Sequence, residues 1–246
     1  ALTAGSPQVT VFAADGSGAR TAGTDLTGAH DLMVAGAMNS DLTIGEGARL
    51  VPSQDGDSVL LLAPHRGSNE LWRVSLDGKH LDRLTDGHHY LSSFDAIGVG
   101  ARTRVAAVRS TATELPRIEV GDLAPTARRL ELRPAATLND AFEAEVTFRE
   151  PVERWIEVDG RQIQSWLIPG GEGGGPKPAV VEIHGGPHTL YGWSPFLEFQ
   201  VLAGAGISVL YTNPRGSEGY GRDFNEANLG DWGDGPTRDV LACVDA

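Results

Sequence analysis

Residues 178–211 read Pro178-Ala-Val-Val-Glu-Ile-His184-Gly-Gly-Pro-His188, then Phe196-Leu-Glu-Phe-Gln-Val-Leu-Ala-Gly-Ala205, then Ile207-Ser-Val-Leu-Tyr211. The first run is a compact apolar strand that stops at Gly185-Gly186-Pro187. The second carries Phe196, Phe199, Leu202 and Ala203 at helical spacing and ends at Gly204 and Gly206, a C-cap composition. The third is again β-prone. Strand, helix and strand in about 35 residues make a βαβ unit, which implies a right-handed crossover in a parallel sheet. Pro236–Ala246 predicts a further helix with Pro in its first turn. On the other side, Val146–Arg149, Trp155–Val158 and Gln162–Ile168 predict strands, with Asp159-Gly160 as a hairpin turn. Gly171–Gly175 lacks a following Lys-Ser/Thr, so it reads as a linker and not a phosphate loop.

Residues 1 to about 135 have a different character. Short β-prone runs alternate with Asp15-Gly16, Asp55-Gly56, Asp77-Gly78 and Asp86-Gly87. Asp-Gly between such runs signals hairpins, because both central residues of a type I′ turn need positive φ. The unit Leu71–Thr85 recurs loosely as Val9–Thr21 and as Ile118–Leu132, with Thr24–Glu46 as an insertion. Offsets of this size suit four-stranded propeller blades of ~40–50 residues. The pattern predicts two fairly complete blades and the tail of a third. Alternation and turns fit a β-sandwich as well.

Composition narrows the partners. With 33 acidic residues against 20 basic ones, the formal charge is −13. Such a surface repels phosphate backbones and anionic lipids, so neither nucleic acid nor membrane is expected as a partner. No apolar run approaches the ~18–20 residues of a membrane span. The single cysteine, Cys243, allows no intrachain disulfide, which suits a cytoplasmic protein. Ala1–Pro7 has neither an initiator Met nor a signal-peptide pattern, and the sequence stops inside its last predicted helix. The chain is therefore expected to be the middle of a longer protein.

His184-Gly-Gly-Pro-His188, Gly192-Trp193, Asn213-Pro-Arg-Gly-Ser-Glu-Gly-Tyr-Gly221 and Gly230-Asp-Trp-Gly233 together resemble the prolyl oligopeptidase family of serine peptidases, most closely its acylaminoacyl-peptidase branch. Leu71–Gly78 with Arg83–Gly87 is similar to a blade of that family's propeller, and Trp155–Pro169 to the entry strands of its hydrolase domain. The resemblance implies a mixed fold: a partial β-propeller of late blades over 1–135, then the N-terminal part of an α/β-hydrolase domain over 136–246. It implies hydrolysis of short peptides, N-acylated ones among them, through an acyl-enzyme. By its place in the motif, the backbone amide of Gly186 is carried over as an oxyanion-hole donor. No Gly-x-Ser-x-Gly elbow occurs in these 246 residues, so the Ser-Asp-His triad is expected beyond Ala246 and the segment alone is expected to be inactive. The alternative is a non-catalytic propeller-plus-stub that binds a peptide or partner, or an inactive proteolytic fragment. A short peptide is the expected ligand, a homo-oligomer is possible, and no cofactor or metal is implied.

Other candidates read as structural. His184 and His188 are separated by Gly-Gly-Pro, which forbids the helix that would align them as metal ligands. His88 and His89 adjoin a turn and are expected to be exposed. Ser194 lies in Gly-Trp-Ser-Pro-Phe, where Pro195 and Phe196 replace what an elbow needs, and Ser217 has no base identifiable from sequence. Arg215 is expected to pair internally with an Asp, Cys243 to be buried, and Asp231 and Asp234 to cap or turn.

Overall fold

The computed structural model describes residues 8–13, 23–34, 38–42, 49–173 and 175–246. It opens with a two-stranded antiparallel pair, β1 (Thr10–Val11) and β2 (Thr24–Asp25). The expected Asp15-Gly16 turn and the end of the Val9–Thr21 repeat lie outside the described residues.

Two four-stranded antiparallel meanders follow. The first is β3 (Val51–Pro52), β4 (Ser58–His65), β5 (Ser68–Ser75) and β6 (Leu81–Arg83). The second is β7 (Tyr90–Val99), β8 (Arg102–Ser110), β9 (Arg117–Leu123) and β10 (Arg133–Ala136). One parallel pairing, Asn69 with Tyr90, links them. Leu71–Thr85 and Ile118–Leu132 both run from the third strand of a meander toward the fourth, so the sequence repeat follows structural equivalence. Strand β4 explains the core. Val59 to Ala63 are all buried because both of its faces are covered. Leu60 and Leu62 join Leu71, Leu91, Phe94 and Val105 between the two meanders. Val59, Leu61 and Ala63 point the other way, toward Leu26, Leu32, Val34 and Trp72.

The turns depart from the sequence reading. Of the expected turns among the described residues, only Asp159-Gly160 has the expected pair of positive φ angles, 51° and 77°. At Asp55-Gly56 and Asp77-Gly78 the glycine alone is positive. There a serine two residues earlier completes the turn. Ser53 and Ser75 each donate from Oγ to the following Asp Oδ1 at 2.5 Å, and each accepts a backbone N–H from across the hairpin. Asp86-Gly87 closes no hairpin and instead connects the meanders. The second type I′ turn is Arg66-Gly67, with φ of 49° and 74°, which joins β4 to β5.

The second half carries a short α1 (Asp140–Glu143) and then β11 (Val152–Val158), β12 (Arg161–Ile168), β13 (Ala179–Ile183) and β14 (Ser208–Asn213). The expected strand at Val146–Arg149 does not form: this stretch pairs with no strand, and the Arg149 N–H donates to Gln200 Oε1 instead. The sheet order is β11-β12-β14-β13, antiparallel except for the parallel β14–β13 pair. Helix α2 (Leu197–Gly204) makes the crossover, the short α3 (Arg222–Asn225) follows β14, and α4 (Asp234–Asp245) packs on the opposite face. Phe199 and Ala203 of α2 meet Trp166, Ile168, Val209 and Tyr211. Cys243 of α4 meets Ile163, with Leu210 packed against them. Residues one apart thus serve opposite helical layers, as a strand covered on both faces requires. No helix among the described residues is long and apolar enough to cross a membrane.

Two clamps join the halves. Residues 38–42, expected to be part of a propeller insertion, dock on the crossover of the second half. Asn39 N donates to Leu190 O, Ser194 Oγ to Asn39 O and Ser40 Oγ to Pro195 O. Asp41 accepts the N–H groups of Leu197 and Glu198 at 3.0 and 2.7 Å, supplying the N-terminal cap that Phe196 cannot. The second clamp is the Arg66-Gly67 turn. Arg66 N donates to Gly219 O, Trp193 N donates to Gly67 O, and Gln164 Nε2 donates to Arg66 O. A Cβ on Gly192 would stand 2.0 Å from Gly67 O, backbone against backbone, with no side chain free to yield. Gly192→Val is expected to destabilise by about 3 kcal/mol or more. Gly204→Ala, where a Cβ meets nothing, should be neutral or slightly stabilising. Chemical denaturation of the two variants side by side checks both.

Candidate active site

The carboxyl ends of β13 and β14 lie side by side, which is where open α/β sheets bind ligands. The chain leaves β13 through His184-Gly185-Gly186-Pro187-His188. Gly186 has a φ of 124°, and a Cβ there would press to 3.0 Å on both His188 N and Thr189 Cγ2. At Gly185 a Cβ would meet nothing. The first glycine therefore leaves the turn open to an approaching group, and the second supplies a backbone conformation that L side chains rarely adopt. Gly186 is exposed, and its N–H donates to no acceptor among the described residues.

His184 organises this turn. Its Nδ1 lies 2.9 Å from Gly185 O and its Nε2 2.9 Å from Ser217 Oγ. A carbonyl can only accept, so the network places the proton on Nδ1. Burial pushes the His184 pKa below the ordinary value, partly opposed by the bond to Gly185, and keeps the ring neutral. The single Ser217 hydroxyl hydrogen is shared between His184 Nε2 and Pro214 O, which lies 2.7 Å away, and Glu218 N donates to Thr189 O. The turn after β13 is thus tied to the turn after β14. His188 Nδ1 accepts from Asn225 Nδ2 at 2.7 Å, and Asn225 also donates to Gly216 O. The two histidines of the motif therefore serve different partners.

Beneath the turns runs a buried polar chain. Asn213 exchanges two hydrogen bonds of 2.8 Å with the backbone of Tyr191, like a step of a ladder. It also donates to Tyr220 OH, which donates to Gln164 Oε1, whose amide donates to Glu153. Burial raises the Tyr220 phenol pKa, so it remains a donor. Asn213 and Tyr220 stand in the quoted motif, but sequence reasoning gave them no role. A polar residue ending an apolar strand just before Pro214 was the available signal.

Arg215 pairs internally as expected. It holds Asp239 through Nε and Nη2 at 2.9 and 2.7 Å and reaches Asp159 at 2.9 Å. Asp231 accepts the Gly235 N–H at the start of α4, a capping role. Ser194 is buried against Asn39, and Cys243 is buried beside Thr212. His89 corrects the expectation of exposure. It is 5% exposed and lies 2.8 Å from Glu70, which also accepts from Thr85. His88 is exposed but stacks on Trp193 at 3.8 Å. Among the described residues no group of three or more His, Cys, Asp or Glu is placed to hold a metal.

Comparison with known proteins gives these features a context. Residues 193–246 match the prolyl oligopeptidase family. The chain is similar to the uncharacterized peptidase YuxL of Bacillus subtilis, 34% identical over 230 residues, covering 90% of this chain and 33% of the relative. It is 26% identical over 197 residues to dipeptidyl-peptidase 5 of Porphyromonas gingivalis, covering 78% of this chain and 28% of that one. Among solved structures, uncomplexed acylaminoacyl peptidase of Pyrococcus horikoshii aligns with a TM-score of 0.71 at 22% identity, over 92% of this chain and 32% of that chain. An acylaminoacyl peptidase in complex with Z-Gly-Gly-Phe-chloromethyl ketone aligns at 0.72 and 21% identity, over the same shares. The chain spans about a third of the length of these relatives. Residues 193–246 thus match the prolyl oligopeptidase family, and the sequence similarity and common fold extend that likeness across nine-tenths of the chain.

Proposed function

We propose that this chain is the central part of a serine peptidase that cleaves short peptides, N-acylated ones among them, through an acyl-enzyme. In this reading residues 1–135 contribute late blades of a β-propeller and 136–246 the first part of an α/β-hydrolase domain. Face-to-face packing of two four-stranded meanders suits adjacent blades. The relatives' greater length leaves room for the remaining blades and for the Ser-Asp-His triad, which lies outside these 246 residues.

The observation that carries the reading is the Gly186 N–H, uncommitted at the carboxyl end of β13 on a turn held by His184. A substrate carbonyl seated there is polarised before attack. The serine Oγ bonds to the carbonyl carbon and passes its proton to the triad His. The oxygen gains a negative charge, and the Gly186 dipole meets it without reorganisation. The amine leaves with the proton, and water then releases the acyl group. Gly185 has no Cβ to obstruct this approach.

A fluorophosphonate probe, which acylates activated serines, tests the assignment. The full gene product is expected to be labelled and to hydrolyse N-acetylated peptides, whereas the 246-residue chain alone is not labelled. A full product that neither takes the label nor cleaves such peptides overturns the reading in favour of a binding module.

A further inference from the structure

A cavity of about 690 Å³ lies between the two halves. Trp155, Tyr220 and Phe224 form aromatic walls, and Arg66 and Arg161 contribute the cations. The chain has 33 acidic residues and 20 basic ones, so a described arginine here usually has a carboxylate partner. These two are ion-paired with no carboxylate among the described residues.

The nearby acids are already engaged. Asp159, two residues before Arg161, is held by Arg215 and Arg238. Glu153 accepts from Gln164 and Trp155. Asp31, on the cavity wall, accepts the Arg222 N–H. Burial, with Arg83 and Arg66 nearby, pushes the pKa of His65 down, so this part of the wall stays neutral.

Both arginines stand on fixed backbone. Arg66 lies in a type I′ turn bonded to Gly219 on one side and Gln164 on the other, with its guanidinium 5.9 Å from the Trp155 ring. Arg161 opens β12 directly after the other type I′ turn and pairs with Val158. Tyr220 lines the cavity and also bonds Asn213 at the end of β14, so the cavity adjoins the candidate site. Planar guanidinium groups on rigid backbone, facing an aromatic-walled space, match a carboxylate.

We infer that Arg66 and Arg161 form a carboxylate subsite for the peptide substrate. This rests on the peptidase reading and adds a preference for substrates that carry a carboxylate away from the cleaved bond. The full gene product is assayed with three N-acetylated peptides of one core sequence: one with a free C-terminus, one C-terminally amidated, and one amidated but ending in Glu. The free acid should exceed the plain amide in kcat/KM by roughly tenfold or more, the scale of one hydrogen bond to a charged group. If the Glu amide matches the free acid, the carboxylate can come from a side chain. If it matches the plain amide, the C-terminus is the source. In Arg66→Gln/Arg161→Gln the ratio of acid to amide should collapse toward one, whereas Arg102→Gln, outside the cavity, should keep it. Cleavage of none of the three peptides sinks the peptidase reading, and the subsite with it. Equal cleavage of all three by the unaltered protein, or a ratio untouched in the double variant, overturns the subsite alone.

Discussion

Arg215→Met is expected to destabilise the protein by about 3–5 kcal/mol, the range for removing one partner of a buried ion pair. Asp239 is fully buried, and its oxygens accept the Nε and Nη2 donors of Arg215. Without the guanidinium, the carboxylate keeps the Arg215 backbone N–H at 2.8 Å and little else to offset its lost hydration. The bond to Asp239 also raises the arginine pKa further, so the guanidinium stays charged. The pair links the turn after β14 to α4, and through Asp159 to the β11–β12 hairpin, so its loss loosens three elements at once. Adding Asp239→Leu to Arg215→Met should recover much of the stability, because the orphaned charge is then gone. Denaturation midpoints of the single and double variants decide this. A single variant within about 1 kcal/mol of the parent would mean that water reaches Asp239.

Periodicity and turn chemistry made the parallel pair β13–β14, helices α2 and α4 and the β11–β12 hairpin legible. Local sequence dictates those features. Features set by distant partners were not legible. Val146–Arg149 has a strand composition, but the Arg149 N–H bonds Gln200 instead of a strand. His89 looked like a turn residue, yet Glu70 sits 19 positions earlier and its burial depends on two strands meeting. The short segment 38–42 shows no pattern of its own, because its work is to cap a helix more than 150 residues away. The Asp55-Gly56 and Asp77-Gly78 turns were found at the right places for an incomplete reason. The serine before each Asp completes the hydrogen bonds, and the glycine alone takes the positive φ. Likewise the glycines of the candidate site announced themselves, but the histidine-to-serine link that steadies them joins residues 33 apart.

In the full gene product, Gly186→Ala is expected to lower kcat by about 10²–10³-fold, the scale of losing one oxyanion donor. KM should change far less, since the contact strengthens only as charge develops on the oxygen. An alanine cannot hold a φ of 124° without strain, and its Cβ would press on His188 N and Thr189 Cγ2 at 3.0 Å. The Gly185–Gly186 peptide unit must then rotate, and the N–H swings away from the place proposed for the substrate carbonyl. His184 acts on that same unit from its other end. It holds the Gly185 C=O, so the N–H on the opposite edge points outward. A carbonyl that accepts a hydrogen bond also makes its own amide a stronger donor. His184→Ala should therefore lower kcat by a smaller factor, about tenfold, again with little change in KM. His184→Asn, whose amide can still reach the carbonyl, should restore part of the loss. A purely structural role for the ring would instead lower stability and leave kcat of the remaining folded protein intact. If kcat survives Gly186→Ala while KM rises, the glycine shapes substrate binding and the oxyanion donor lies elsewhere.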